Sequence, residues 1–465
     1  MSLDIFKTKM SADAASQAAI KAFQRNYEAL VSGANLDIRE QDITPVDALP
    51  SLADIKETHR LAKHPQAKEI LAATAVLKLN GGLGTSMGLE RAKSLLPVKH
   101  GITFLDLIAK QIKYLREEVK LEVPFTLMNS YNTSDDTKSY LSVKNGELLE
   151  EPHFELMQNK TPKVDAATLA PASYPANPAL EWCPPGHGDF YPSLIGTGMM
   201  ERLLSDGVKY LFVSNGDNLG ADLEKDLLCY FATNNIPFLM ECTERVAADK
   251  KGGHVARNKE GHLVLREVAQ CSPEDEMDFM DIKRHKFFNT NNLWINLEAL
   301  KSLLEENDGV MPLPPIKNRK TVNPRDKTST PVFQLETTVG AAIQCFPGAR
   351  AVVVPRTRFA PVKTCSDLFM LQSNAYRITD DAKVVLKSKQ VPLVKLDDDH
   401  YKMADQMLNL VQCVPVLEHC KALTVRGAVK FLPGVVIMGK VAITNTQKDA
   451  KELPPEVYQN IDVML

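Results

Sequence analysis

A glycine-rich stretch directly behind a short apolar segment constrains the fold of this chain more than any other feature. Residues 75–79 read Ala-Val-Leu-Lys-Leu, and residues 81–88 read Gly-Gly-Leu-Gly-Thr-Ser-Met-Gly. Each fixed glycine costs backbone entropy, so the cluster indicates either tight turns or a backbone that lies very close to a ligand. A glycine loop between a strand and a helix is also a recurring device for pointing backbone N–H groups at phosphate oxygens. We therefore expect an anion-binding loop here, with a plain turn as the alternative.

From residue 75 onward, short apolar segments alternate with helical patterns. The expected strands are 75–79, 124–128, 154–157, 210–214 and 237–240, and the expected helices are 11–31, 104–115 and 223–231. Strands that alternate with helices predict an α/β fold with a mixed, mostly parallel sheet covered on both faces. Ligands of such sheets bind at the carboxyl ends of the strands. The loops at 80–88 and 215–218 follow two expected strands and are the predicted binding loops.

The C-terminal region has a different pattern, in which apolar residues recur every six positions. One series is Val425, Phe431, Ile437 and Ile443, and the other is Val429, Val435 and Val441. This period is typical of β-helix coils, and a β-meander is the alternative. We predict a helical lead-in at 1–70, a catalytic domain at 71–379 and a C-terminal domain at 380–465. The acidic run at 397–400 is expected to be a solvated loop.

Bulk properties exclude several classes of protein. The net charge of −3 over 465 residues argues against a large nucleic-acid-binding surface. No apolar run approaches the roughly 18–20 residues of a membrane span, and the first residues lack the pattern of a signal peptide. The eight cysteines include no Cys-x-x-Cys pair, which favours reduced thiols in a cytoplasmic protein. We therefore expect neither a nucleic-acid nor a membrane partner.

Polar residues in the loops suggest an anionic nucleotide, a metal ion and a sugar. Asp217 follows an expected strand as a Mg²⁺ ligand would, although a helix cap or turn would explain it too. His187 lies between glycines in the turn-rich stretch 182–189, which is expected to be irregular, and it either contacts a polyhydroxy ligand or is simply exposed. Asn289 and Asn291 carry amides suited to sugar hydroxyls or to turn contacts.

Six segments, taken together, carry a resemblance to a known family. They are 77–88, 92–94, 184–189, 213–220, 288–294 and 359–363, in family order over most of the chain. The sequence resembles the UTP–glucose-1-phosphate uridylyltransferases of the eukaryotic type. The resemblance implies a Rossmann-like nucleotidyltransferase domain and a C-terminal left-handed β-helix. Self-association through that C-terminal domain is left open.

The resemblance also implies substrates and residue roles. UTP and glucose 1-phosphate would give UDP-glucose and pyrophosphate, with Lys363 and Lys93 as the catalytic residues. The implied nucleotide-binding residues are Leu79, Asn80, Gly81, Gly82, Lys93, Gln158, Gly186, Asn215 and Lys363. The implied sugar-phosphate-binding residues are His187, Glu267, Asn289 and Asn291, and Asp217 would hold Mg²⁺.

Two other functions remain as alternatives. The related UDP-N-acetylhexosamine pyrophosphorylases typically have arginine after the Gly-Thr of the glycine loop, where this chain has Ser86. A non-catalytic nucleotide-binding scaffold would lack the charged site residues, but Lys93, Asp217 and Lys363 are all present. Both observations favour the uridylyltransferase hypothesis.

Overall fold

The computed structural model of the chain describes residues 2–33, 35–388 and 391–465. The side chain of Ser86, where the hexosamine pyrophosphorylases typically have arginine, lies outside the part of the chain that the structure describes. The helices are Ser2–Ala12 (α1), Gln17–Val31 (α2), Leu52–Thr58 (α3), Ala67–Ala72 (α4), Phe104–Val119 (α5), Ser134–Lys144 (α6), Phe190–Gly196 (α7), Met199–Ser205 (α8), Lys225–Thr233 (α9), Glu276–Met280 (α10), Leu297–Glu306 (α11), Cys365–Gln372 (α12), Asp398–Tyr401 (α13) and Ala404–Leu410 (α14). Among these ranges, no helix has both the length and the apolar character needed to cross a bilayer.

The strands alternate with these helices through the centre of the chain. They are Ile43–Pro45 (β1), Thr74–Leu79 (β2), Pro97–Lys99 (β3), Ile102–Thr103 (β4), Phe125–Asn129 (β5), Glu155–Met157 (β6), Thr161–Pro162 (β7), Val164–Asp165 (β8), Trp182–Cys183 (β9), Tyr210–Asn215 (β10), Phe238–Glu244 (β11), His254–Asn258 (β12), Leu263–Arg266 (β13), Phe287–Asn296 (β14), Ile316–Thr321 (β15), Pro331–Glu336 (β16), Arg350–Val353 (β17), Tyr376–Ile378 (β18), Val384–Leu386 (β19), Leu393–Lys395 (β20), Cys420–Arg426 (β21), Val429–Phe431 (β22), Val436–Thr444 (β23), Lys451–Leu453 (β24), Val457–Gln459 (β25) and Asp462–Met464 (β26). The strands expected at 75–79, 124–128, 154–157, 210–214 and 237–240 are all present, within a few residues at each end.

The largest sheet has the strand order β1-β12-β14-β10-β2-β5-β6, with β11 joining β14 to β17 and β13 pairing with β12. The pairs β10–β2, β2–β5, β5–β6 and β11–β17 are parallel, whereas β14 runs antiparallel to both β10 and β11. The predicted mixed α/β architecture is therefore confirmed. The central parallel strands β2, β5 and β10 are buried along almost their whole length because both of their faces are covered.

Successive residues of β2 contribute to two different cores. Val76 packs in the cluster that contains α5 and α9, while Ala75 and Leu77 pack in the cluster that contains α7, α8 and α11. Because side chains alternate across a strand, these clusters cover the two faces of the sheet. The two packed helical layers therefore hold the strands, and with them the loops at the strand ends, in fixed orientations.

The strand ends bring the predicted binding loops together. β2 and β10 are adjacent and parallel, with Leu79 opposite Asn215. The loop 80–88 and the turn that contains Asp217 therefore leave the sheet side by side. Since β14 is antiparallel to β10, with Leu293 opposite Val213, its residues 289–292 lie just beyond the carboxyl end of β10.

The N-terminal region differs from its prediction. The helix expected at 11–31 begins only at Gln17, as α2, because the chain breaks at residues 13–16 and Ser16 caps α2 by accepting a hydrogen bond from the Ala19 N–H; a separate helix, α1, precedes the break. The break lets the helices fold against each other, with the Phe6 and Tyr27 ring centroids 4.9 Å apart. The apolar stripe that indicated the helix begins at Ile20, inside α2, so it carried no information about the break.

The C-terminal strands pair in parallel with partners far along the sequence. Leu423 of β21 lies opposite Val441 of β23, and Ile443 of β23 lies opposite Val463 of β26. A meander would pair consecutive strands antiparallel, so that alternative is wrong. The expected loop at 397–400 is also wrong, because Asp397 caps helix α13 and accepts a hydrogen bond from the Gly427 N–H at 2.7 Å.

Candidate active site

The four glycines that follow β2 serve two different purposes. Gly84 and Gly88 have φ values of +68° and +71°, so they make turns that favour glycine. A Cβ on Gly81 would lie 2.7 Å from Gln158 Oε1, whereas a Cβ on Gly82 would meet no protein atom within 4 Å. The first two glycines therefore keep space open beside the strand, and the last two shape the loop.

That space is a cavity of about 610 Å³, within the usual range for small-molecule sites. Its lining residues are Leu79, Asn80, Gly81, Gly82, Leu83, Thr85, Lys93, Ser94, Met128, Asn132, Gln158, Pro184, Gly186, His187, Asn215, Gly216, Asp217, Pro324 and Gln334. Every predicted nucleotide-binding residue except Lys363 lines the cavity, together with His187 and Asp217. Asn132, Pro324 and Gln334 also line the cavity, although no sequence motif marks them.

Asn80 contributes its backbone rather than its side chain. Its amide Nδ2 donates hydrogen bonds to Asn129 Oδ1 at 2.7 Å and to Thr137 Oγ1 at 3.0 Å. Both partners are buried, so the Asn80 side chain ties the loop to β5 and α6. The Asn80 amide Nδ2 is therefore committed to contacts within the protein.

Gln158 and Gly186 both line the cavity and contact each other. Gln158 Nε2 donates to the Gly186 carbonyl at 2.9 Å. Gly186 has a φ of +79°, and a Cβ there would lie 2.4 Å from the Thr337 carbonyl oxygen, so only glycine fits. The stretch 182–189 is not irregular throughout, since it contains β9 and a 3₁₀ turn at His187–Asp189.

Lys93 and Asp217 form an ion pair at the carboxyl ends of β2 and β10. Lys93 Nζ lies 2.6 Å from Asp217 Oδ2, and their side chains are 16% and 23% exposed. The Lys93 backbone N–H also donates to the Gly82 carbonyl at 3.1 Å. The structure thus joins the predicted phosphate-binding lysine to the predicted Mg²⁺ ligand.

His187 is held as a neutral hydrogen-bond donor. The Val339 backbone N–H donates to His187 Nδ1 at 3.0 Å, so the imidazole proton is on Nε2. Burial lowers the pKa of His187 to about 4, which keeps the ring uncharged at neutral pH. The residue therefore offers an N–H rather than a positive charge to an oxyanion.

The asparagine motif lies inside β14 at an irregularity in its pairing with β11. Asn291 has a left-handed backbone (φ +59°), and the register shifts where β11 faces Asn289 and Asn292. Asn291 Nδ2 donates to Asn215 Oδ1 at 2.8 Å, but the buried Asn291 Oδ1 has no hydrogen-bond partner. A buried acceptor without a partner is costly, which makes it a candidate ligand contact.

Glu267 and Lys363 lie beside this motif. Lys363 is exposed, and its Nζ lies 5.8 Å from the centroid of the Phe288 ring. Burial raises the pKa of the Glu267 carboxyl, and the nearby Lys363 charge opposes that shift. A Cβ on Gly253 would lie 2.5 Å from Glu267 Oε2, so a glycine makes room for the carboxylate. Lys363 is thus grouped with the sugar residues rather than with the cavity lining.

The sequence model of one family, described as UTP–glucose-1-phosphate uridylyltransferase, matches residues 20–438 of the chain. The chain belongs to this family. The uridylyltransferase of Encephalitozoon cuniculi is 42% identical over 82% of this chain and 75% of that protein, and that of Saccharomyces cerevisiae is 38% identical over 89% and 82%.

Solved structures agree with the uridylyltransferase family over the whole chain. A mutant UDP-glucose pyrophosphorylase from Leishmania major, crystallised with UDP-glucose, is 43% identical with a TM-score of 0.94. A Trypanosoma brucei structure is 44% identical with a TM-score of 0.92. In both cases the match covers 100% of this chain and 99% of the other. The resemblance inferred from the sequence motifs is confirmed, and the chain is a nucleotidyltransferase.

Proposed function

We propose that this chain transfers the uridylyl group of UTP to glucose 1-phosphate, forming UDP-glucose and releasing pyrophosphate. The observation that carries the proposal is the cavity where β2 and β10 end, lined by the glycine loop together with Lys93 and Asp217. Parallel α/β sheets bind their ligands at this edge. Family membership supplies the identity of the two substrates.

The nucleotide would lie with its base against Gln158 and Gly186 and its phosphates along the glycine loop. A glutamine amide has both a donor and an acceptor, so it can pair with the edge of uracil. The open space at Gly82 supports this placement, since no protein atom fills it. The sugar phosphate would lie toward Asn291 and Glu267, with the Asn291 Oδ1 accepting from a sugar hydroxyl.

The reaction needs charge stabilisation rather than a general base. The attacking group is a phosphate oxygen of glucose 1-phosphate, which is already anionic at neutral pH. Two polyanions must approach each other, so positioned cations and N–H donors supply most of the catalysis in such transfers. We assign Lys363 to the attacking phosphate, Lys93 to the departing pyrophosphate, and the His187 Nε2–H to a phosphate oxygen of the sugar substrate.

Asp217 fits a Mg²⁺ ion that arrives with the nucleotide. Magnesium sites in nucleotide enzymes commonly use one or two carboxylates together with phosphate oxygens. Within the described ranges, no group of three or more His, Cys, Asp and Glu side chains is arranged to hold a metal ion alone. When bound, Mg²⁺ would supply positive charge to the phosphates, and it would share the Asp217 carboxylate with Lys93.

A coupled assay for pyrophosphate release tests the proposed function. UTP and glucose 1-phosphate should give UDP-glucose in the presence of Mg²⁺, and other nucleoside triphosphates should be poor substrates. N-acetylglucosamine 1-phosphate tests the alternative hexosamine activity in the same assay. Gln158→Ala should raise the KM for UTP more than the KM for glucose 1-phosphate. Absence of product from UTP and glucose 1-phosphate would overturn the proposal.

We also propose that residues 380–465 form a separate left-handed β-helix domain beside the catalytic domain at 71–379 and the lead-in at 1–70. Parallel pairing of β21, β23 and β26 supports it, as does the burial of Val425, Phe431 and Ile437. A crystal structure would establish the hand of the coil. Eight free cysteines support a cytoplasmic location, which a fluorescent fusion would test.

A further inference from the structure

Two loops of the site are packed directly against each other. We call residues 215–220 the Asp217 turn and residues 355–363 the Lys363 loop. Asn218 and Pro361 form an antiparallel β-bridge between them. A Cβ on Gly220 would lie only 2.4 Å from the Thr357 carbonyl oxygen. The contact is therefore too close to admit a side chain at that point.

Asn218 links the backbones of the two loops. Its Nδ2 donates to the Arg358 carbonyl at 3.1 Å, and its Oδ1 accepts from the Ala360 N–H at 2.9 Å. The Asn218 side chain thus hydrogen-bonds a backbone C=O and a backbone N–H of the Lys363 loop, as a neighbouring strand would. It is buried, and it adjoins Asp217 in the sequence.

The Arg358 side chain anchors the Lys363 loop to two carboxylates of the protein interior. Its Nε and Nη2 donate to the two carboxylate oxygens of Glu241, each at 2.8 Å, and its Nη1 donates to Asp222 Oδ1 at 2.7 Å. The Arg358 side chain is 7% exposed and that of Glu241 is 0% exposed. A paired guanidinium–carboxylate contact fixes both distance and orientation.

Glu241 is itself held rigidly on β11. It accepts a hydrogen bond from Trp294 Nε1 at 3.0 Å and another from Asn292 Nδ2 at 3.1 Å. Both donors belong to β14, the strand that carries the sugar-site asparagines. The Lys363 loop is therefore attached to β11 and β14, the two strands whose irregular pairing carries Asn289 and Asn291.

We propose that Asn218 and Arg358 are positioning residues that hold Lys363 at a fixed place relative to Asp217. Neither lines the nucleotide cavity, and Lys363 follows Arg358 by only five residues. A displacement of about 1 Å in a reacting group costs on the order of 10²-fold in rate. This inference rests on the proposed function, because it assigns these residues to the placement of its catalytic lysine.

The decisive test is a double-mutant cycle between Asn218→Ala and Lys363→Ala, read as kcat for UDP-glucose formation and as the Kd for UTP. Asn218→Ala should lower kcat by on the order of 10²-fold in the wild-type background. In the Lys363→Ala background, the same change should cost less than about twofold, because the group it positions is gone. The Kd for UTP should stay within about twofold of wild type, as for an independent site.

Arg358→Lys supplies a second test, because one ammonium cannot replace the paired contacts of a guanidinium. It should show the same dependence on Lys363. Arg116→Lys is the matched control, since Arg116 makes a similar two-pronged contact with Glu151, at 2.7 and 2.8 Å, outside both loops. That variant should keep wild-type kcat. Asn218→Ser would carry the cycle if Asn218→Ala failed to fold.

The outcomes separate this inference from the proposed function. If the wild type forms no UDP-glucose, the proposed function fails. If the wild type is active but Asn218→Ala and Arg358→Lys lower kcat by equal factors with and without Lys363, the positioning role is overturned. Equal factors would mean that both residues affect the rate independently of Lys363.

Discussion

The two proposed halves of the site, one for the nucleotide and one for the sugar phosphate, differ in how they are built. The proposed nucleotide half is built around Gly81 and Gly82 at the ends of the parallel strands β2 and β10, with side chains such as Lys93 and Gln158 on its walls. The sugar half, around Asn291 and Lys363, consists of side chains on the antiparallel strand β14 and on the Lys363 loop. The first half should therefore be damaged by added atoms, and the second by removed ones.

The largest expected effect is in the half built from side chains. Lys363→Ala should lower kcat by on the order of 10²–10³-fold, because a charge placed at the reacting phosphate is lost. The thermal unfolding temperature should not change, since the side chain is exposed. Steady-state kinetics and circular dichroism measure the two quantities.

Lys317→Ala is the matched control for that variant. Lys317 is also exposed and its Nζ lies 5.6 Å from the Phe333 ring centroid, so it reproduces the aromatic contact away from the site. It should retain wild-type turnover. Equal activity in the two variants would remove Lys363 from the mechanism.

Added atoms test the nucleotide half. Gly82→Ala should weaken UTP binding by on the order of tenfold or more, because overpacking costs about 1–3 kcal/mol. Folding should be unaffected, since the new Cβ meets no protein atom within 4 Å. Calorimetric titration with UTP measures the change. Unaltered affinity would place the nucleotide elsewhere.

Gly81→Ala provides the contrast within the same loop. Its Cβ would contact Gln158 Oε1 before any ligand binds, so the glutamine must move. We expect discrimination between UTP and other pyrimidine triphosphates to fall in this variant and to persist in Gly82→Ala. The ratio of kcat/KM values for UTP and CTP measures the difference.

A smaller effect is expected from the unpartnered acceptor in the sugar half. Asn291→Ala should raise the KM for glucose 1-phosphate by about 2–12-fold, since one hydrogen bond contributes about 0.5–1.5 kcal/mol. The KM for UTP should change less. A larger effect on UTP would assign Asn291 to the nucleotide half through its contact with Asn215.

The last effect concerns His187 and is one on stability rather than on activity. Its pKa is about 4 in the folded protein, whereas an unfolded histidine takes up a proton near pH 6.5. The folded state should therefore lose stability as the pH falls from about 6.5 to 4, and His187→Gln should remove that part of the loss. Imidazole ¹⁵N NMR should show a neutral Nε2–H ring at pH 6, and protonation near 6.5 would contradict this.

Local patterns in the sequence were enough to predict the parallel half. The apolar segments 75–79 and 210–214 and the glycines behind the first of them identify two strand ends and a binding loop. These features depend on residues close together in the sequence, so local sequence patterns are sufficient to indicate them. Local patterns did not locate the start of α2, because its apolar stripe begins at Ile20 and could not distinguish the break at residues 13–16 from helix.

The contacts that hold the site residues in place could not be derived in this way. The proton position on His187 depends on Val339, and the close fit at Gly186 depends on Thr337, both distant along the chain. Asn291 lies in a strand rather than in a loop, and its left-handed backbone follows from pairing with β11. No spacing in the sequence reports such contacts.

The sequence by itself determined the α/β class, the glycine loop and the family, because each depends on neighbouring residues or on motifs in order. Tertiary structure alone decided which side chains face one another: Lys93 with Asp217, Asn291 with Asn215, and Arg358 with Glu241. Those pairs join residues that lie far apart in the chain. Their geometry follows from sheet order and register, which arise only when the strands pack.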